Sequence, residues 1–249
     1  MNWINFIFTF PFFLSITIPA NPTLYYIDSL YESGDYKNSA KILNELYNED
    51  KNNIDIVYRL ARSIFLIAEE ETNLNRQSDI YYKGFNYAKK ALSMNINNGY
   101  ANFWYAAYIG KIGLLEGTEQ KILNSYEVKQ YGMRAIDLVP DYEHSYHLMG
   151  RWHYELADLT WFERSIASLV YTTPPEGSYE KAVEFFRKAI EINYNEIRHH
   201  FWLANTFRAQ GKNSLAKKQF GIVISLKPKN KKDRDMQNES KKYLSFKKK

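Results

Sequence analysis

The chain has 249 residues, a net charge of +5, 45% hydrophobic and 24% charged residues, 7 prolines, 11 glycines and no cysteine. That is one globular unit of material, neither disordered nor collagen-like, and the lack of thiols excludes a disulfide framework, a thiolate metal site and a cysteine nucleophile. The positive charge is gathered at the end, where residues 227–249 hold ten basic residues against three acids and leave the rest slightly acidic. A solvated, frayed basic tail over residues 229–249 is expected there, with no nucleic-acid-binding role.

At the start, no charged side chain precedes Asp28, and residues 4–18 read INFIFTFPFFLSITI before Pro19 and Ala20. Fifteen apolar residues broken by Pro11 are short for a membrane span and fit a signal peptide cleaved near Ala20. Export to a periplasm or to the outside is therefore expected. The alternative is an uncleaved anchor over residues 1–20 with a cytoplasmic repeat domain.

From residue 21 to 228, prolines are confined to Pro22, Pro140, Pro174, Pro175 and Pro228, and apolar residues recur at helical spacing, as in Ile56, Leu60, Ile64 and Ile67. An all-α fold is predicted. The helices repeat. The last unit follows the tetratricopeptide pattern of about 34 residues, with Leu203, Ala204 and Phe207 in helix A, Gly211 at the turn, Ala216 and Phe220 in helix B and Pro228 at the close. Equivalent anchors at Ile27, Ala61, Ala107 and Gly150 give spacings of 34, 46, 43 and 54 residues. The prediction is thus an α-solenoid of about five helix pairs, with helical insertions inside the middle three units. The Gly110, Gly113 and Gly117 series reads as a loosened end of helix A entering one such insertion, and lacks the Lys-Ser/Thr ending of a phosphate loop.

Stacked helix pairs line a concave face mainly with their A helices. Carrying the anchors outward places Tyr58, Arg62 and Phe65, then Trp104, Tyr108 and Lys111, then His147, Arg151 and Tyr154, and finally Phe201, Asn205 and Arg208 on that face. The set is basic and aromatic, suited to an anionic peptide or helix of a partner protein in the groove, with an acidic lipid as the second ligand class. Trp161, Phe162, Ile166, Leu169 and Val170 form an amphipathic stripe with Glu163 and Arg164 toward water, ended by Pro174 and Pro175. This stretch is either an extra helix packed on the array or a lid contributing Trp161 and Arg164 to the groove.

Catalysis is not expected. No nucleophile elbow or HExxH element exists, and His144, His147 and His153 with Glu143 and Glu155 near one helix leave a third metal ligand unspecified. His199 and His200 are adjacent and point to different faces, which makes them poor co-ligands. No metal, cofactor or enzymatic activity is therefore predicted, and the oligomeric state is open.

Residues 99–193 also carry a family likeness. Gly117-Thr118, Lys121-Ile122, Asn124-Ser125-Tyr126 and Val128-Lys129 are followed by His147-Leu148-Met149-Gly150-Arg151-Trp152, by Trp161 with Arg164 and Ile166-Ala167, and by Thr173-Pro174-Pro175 leading into Tyr179-Glu180-Lys181-Ala182. In these the chain resembles the regulator of microtubule dynamics family, and its N-terminus resembles that of bacterial members with a signal. The resemblance implies a tetratricopeptide-like binding domain. It also implies microtubule association or phospholipid binding, as in animal members, and singles out Arg151 within the most specific motif.

Overall fold

The structure, a computed structural model, describes residues 22–160, 163–165, 168 and 174–246. Residues 1–20, expected to be a signal or anchor, Trp161 and the stripe at Phe162, Ile166, Leu169 and Val170 lie outside the described residues. Among the described residues the regular elements are helices. In order they are α1 (Pro22–Glu32), α2 (Tyr36–Glu49), α3 (Ile54–Glu70), α4 (Leu74–Met94), α5 (Gly99–Glu116), α6 (Thr118–Leu138), α7 (Glu143–Ala157), α8 (Tyr179–Ile192), α9 (Ile197–Ala209), α10 (Asn213–Ser225) and α11 (Lys231–Phe246). No helix among these residues is long and apolar enough to cross a membrane.

Local chemistry sets the boundaries. Asn53, Asn73 and Asn98 cap α3, α4 and α5, each side chain accepting a hydrogen bond from a first-turn backbone N–H, while Asp35 and Ser178 do the same for α2 and α8. These residues take donors that the helix cannot satisfy itself, which is why they outperform apolar residues there. Gly34 and Gly211, with φ of 87° and 72°, make the left-handed turns between helix A and helix B of the first and last units.

The odd-numbered helices α1 to α9 are the A helices and the even-numbered α2 to α10 the B helices of five successive pairs. All five anchors fall inside A helices and are buried. Small residues accept large ones both within a pair and between neighbouring pairs. A Cβ at Gly150 of α7 would stand 2.7 Å from the ring of Phe186 on α8, and one at Gly132 of α6 would stand 2.7 Å from Sδ of Met149 on α7. Interiors packed this tightly have no slack for an added methyl.

The surplus residues of the middle units are placed differently from expectation. In the second and third units they lengthen the helices: α3 and α4 run 17 and 21 residues and α5 and α6 run 18 and 21, against 13 each for α9 and α10. Only the fourth unit inserts a separate segment, between α7 and α8. It opens with a capping box in which Glu163 accepts from both the backbone N–H and the hydroxyl of Thr160, each at 2.8 Å. Nor is the glycine series loosened. Helix α5 continues through Gly110 and Gly113, and a Cβ at Gly113 would lie 2.9 Å from the Lys121 backbone, so this glycine lets α5 and α6 touch main chain to main chain.

The basic C-terminal stretch also departs from expectation, since most of it is helix α11, packed on the last pair. Gln237 donates to the carbonyls of Val223 and Leu226 at 3.0 and 2.8 Å, satisfying the end of α10, and the Tyr243 ring lies 4.7 Å from that of Phe220. A terminal helix with one polar face is what a solenoid needs to shield its last apolar surface.

Candidate binding cavity

The five pairs curve far enough for the last helix to meet the first units. Lys232 of α11 forms an ion pair with Glu69 of α3, and Tyr36 of α2 is hydrogen-bonded by Asn230 just before α11. The concave face thereby becomes a partly enclosed cavity of about 360 Å³. Its walls are largely apolar: Phe65 and Leu66 from α3, Phe103 and Trp104 from α5, Leu148 and Trp152 from α7, Trp202 from α9 and Met236 from α11. Pockets of this size and character are typical of small-ligand sites.

Charged groups sit among these walls in pairs. Arg151 donates to Glu155 at 2.7 Å across one helical turn and lies over the Trp202 ring, 3.5 Å from its centroid. Lys111 pairs with Glu69 at 2.8 Å and lies above the ring of Tyr81, and Lys121 stands 4.0 Å from Glu155. The expectation of a plainly basic groove is thus corrected, because Glu69 and Glu155 balance the cations that sequence spacing brought forward. Burial, reinforced by Arg151, pushes the Lys111 ammonium down to about 8, and burial does the same to Lys232. Two donors of wall residues, both just beneath the cavity surface, have no partner among the described residues. The indole N–H of Trp104 and Nε of Arg151 are buried and unbonded, a state that costs about 1–3 kcal/mol per group when nothing accepts from it.

Of the groove residues expected from the sequence, Phe65, Trp104, Lys111, His147 and Arg151 line the cavity. The others do not. Tyr108 is wholly buried and donates to the Ala61 carbonyl at 2.6 Å. Asn205 turns back on the Phe201 carbonyl, and Phe201 is core. Arg62 is held by Asp28 of α1 and lies over Tyr31; with Tyr58 it borders a second, smaller pocket of about 200 Å³. Tyr154 packs edge-on against Trp202, and Arg208 is exposed, 6.0 Å from the centroid of Tyr243 on α11. Arg164, expected toward water or in a lid, donates to the Leu156 carbonyl at the end of α7. Spacing missed the contributions of α6 and α11, namely Lys121, Ser125, Lys232 and Met236. It also missed a cluster of His144, His147 and His199. The histidine set read along one helix does not assemble, because His153 stacks on Phe185.

The paired helices and partly enclosed concave face define a tetratricopeptide-type helical-repeat protein. A solved tetratricopeptide protein of Thermus thermophilus shares the fold at 14% identity with a TM-score of 0.64, covering 89% of this chain and 96% of that one. A profile described as Regulator of microtubule dynamics protein 1-3 matches residues 23–248, and the chain belongs to that family. It is 36% identical over 169 residues to regulator of microtubule dynamics protein 1 of Bos taurus, covering 68% of this chain and 53% of that protein. To regulator of microtubule dynamics protein 2 of Bos taurus it is 26% identical over 205 residues, 82% of this chain and 50% of that one. The chain therefore spans about half the length of the curated relatives it matches.

Proposed function

We propose that the chain is a non-enzymatic binding protein whose cavity takes an amphipathic ligand, an acyl chain ending in an acidic or carbonyl head. The observation that carries this reading is the pair of unpartnered donors, Trp104 Nε1 and Arg151 Nε, in an apolar enclosure. The apolar wall accommodates the chain and the two N–H groups, just beneath the cavity surface, donate to the head, so a lone apolar solute leaves them unbonded. Closure by Lys232 favours a compact guest over a long extended peptide. Tryptophan fluorescence titrated with oleate is expected to saturate at micromolar concentration, with affinity at least tenfold lower in Arg151→Met and in Trp104→Phe. Absence of a saturable signal in the wild-type chain would sink the proposal.

The titration should depend on pH. Lys111 faces Glu69 of α3, Tyr81 of α4, Arg151 and Glu155 of α7 and, through Glu69, Lys232 of α11. With both lysines pushed to about 8, they are charged at pH 7 and neutral at pH 9. Oleate affinity should fall several-fold between those values, and Lys111→Met should flatten the profile. A flat wild-type profile would remove the lysines from the binding site.

A second reading keeps a partner-protein segment as the guest. It is favoured by the exposed leucines Leu114, Leu115 and Leu123 at the turn between α5 and α6, of which Leu114 also borders the cavity. Cross-linking to an amphipathic partner helix that survives Arg151→Met but is lost in Leu115→Asp would support it. Microtubule regulation, named in the relatives, rests on family membership alone, and co-sedimentation with polymerised tubulin tests it. The expectation of export is carried by the N-terminal sequence and is tested by intact mass in fractionated cells of the native host.

A further inference from the structure

We infer that Glu143, His144 and His199 form a binding site for a zinc-class divalent ion, assembled between the start of α7 and the start of α9. Each of the three brings one donor atom to within 4.8 Å of the other two. Nδ1 of His144 stands 3.3 Å from Oε1 of Glu143, close to the separation of about 3.3 Å that two ligands at ~2.0–2.1 Å adopt around a tetrahedral ion. Although so near, that nitrogen has no hydrogen-bond partner, and neither does Nε2 of His199, which belongs to a wholly buried residue. Two buried imidazole nitrogens left without donors or acceptors beside a carboxylate are costly in an unfilled fold, and a cation that all three lone pairs can share removes the cost.

The surroundings supply what such a site needs. His199 Nδ1 lies 3.0 Å from His147 Nδ1. With Nδ1–H donating to His147, the Nε2 lone pair of His199 is free to ligate, and His147 acts as the outer partner that fixes tautomer and ring orientation. Oε1 of Glu143 accepts from Asn193 Nδ2 at 3.0 Å, which locks the carboxylate against the end of α8. Arg198 is engaged by Glu196 at 2.7 Å. Two imidazoles and one carboxylate, without sulfur, suit zinc and leave one tetrahedral position for water.

Tag-free full-length chain, stripped with a chelator, should take up one equivalent of Zn²⁺ in competition with a chromophoric indicator, and Co²⁺ in its place should give the visible absorption of a tetrahedral site. Glu143→Gln keeps the acceptor for Asn193 and removes the charge, and His144→Gln removes one ligand at a position that is not in the deepest core. Each should weaken Zn²⁺ binding at least tenfold while the far-ultraviolet circular dichroism is unchanged. The inference is overturned by a wild-type chain that binds no Zn²⁺ at micromolar concentration, or by unchanged affinity in either variant, which would assign the ion to histidines elsewhere.

Discussion

Replacing Gly84 with alanine should lower the stability of the whole chain by about 3 kcal/mol, the sum of overpacking and a lost buried hydrogen bond less the better helix propensity of alanine. A Cβ at this position in α4 would stand 2.5 Å from Cζ of Tyr108, closer still to its hydroxyl, and 2.9 Å from Cγ2 of Ile64. Tyr108 has nowhere to go. Its ring is boxed in by Phe65, Tyr81 and Phe85, and its hydroxyl is spent on Ala61, so any retreat leaves a buried phenol without an acceptor. Urea denaturation should show a lower midpoint at unchanged slope. Tyr108→Phe alone should cost about 1 kcal/mol, and the double variant should be more stable than the sum of the two predicts, since removing the hydroxyl relieves the worst contact. Strict additivity would mean that α4 does not rest on this ring.

Deleting residues 231–249 should speed amide exchange in α10 about a hundredfold, equivalent to roughly 2.7 kcal/mol of local stability. Phe220 and Val223 of α10 are fully buried, and the carbonyls of Val223 and Leu226 depend on Gln237 for a donor. Exposing that surface and freeing those acceptors weakens the last pair first, while α3 to α6 keep their neighbours and should exchange nearly as before. Uniform loosening throughout the chain would contradict a capping role for α11. The shortened chain also lacks Lys232, Asp233 and Met236 from the cavity wall, so oleate affinity should fall with it.

The repeat architecture was legible because its packing rule is written in residue size. Four of the five A helices carry a small anchor and the helix B signature carries a bulky residue, so the positions of Gly150 with Phe186 and of Ala204 with Phe220 in their repeats could be read without coordinates, and the structure packs each pair together. The family likeness was legible for a related reason, since its most specific motif, His147 to Trp152, holds one such anchor. The groove was legible only in its middle. Offsets from the anchor hold where an A helix faces open space, as at Trp104, Lys111, His147 and Arg151. They fail where a neighbouring helix engages the side chain: α1 supplies Asp28 to take Arg62, and the exposed Arg208 stands beside Tyr243 of α11. Glu69 escaped notice, and Glu155 drew attention only beside the histidines of its helix, because an offset rule selects positions and says nothing about which charges meet. The asparagines at 53, 73 and 98, which pass for compositional bias, turn out to be helix caps. His199 was dismissed beside His200, yet its partners lie on α7, some fifty residues away in sequence on the spacing of one long repeat.

The ion pair between Lys232 and Glu69 has a consequence for how the protein comes into being. It closes a loop of roughly 160 residues, whose entropic cost for a flexible chain is on the order of 4–5 kcal/mol, far above the 0–1 kcal/mol that a partly exposed ion pair returns. The contact therefore cannot draw the ends together. It must be the last event, made once the stacked helices between have already fixed the curve. During synthesis the chain emerges from its N-terminus and its early units fold as they appear. Helix α11 leaves the ribosome after all five repeats, so the chamber has no floor until that helix has emerged, and a chain truncated before it would carry every repeat and still lack the wall that Lys232 and Met236 supply.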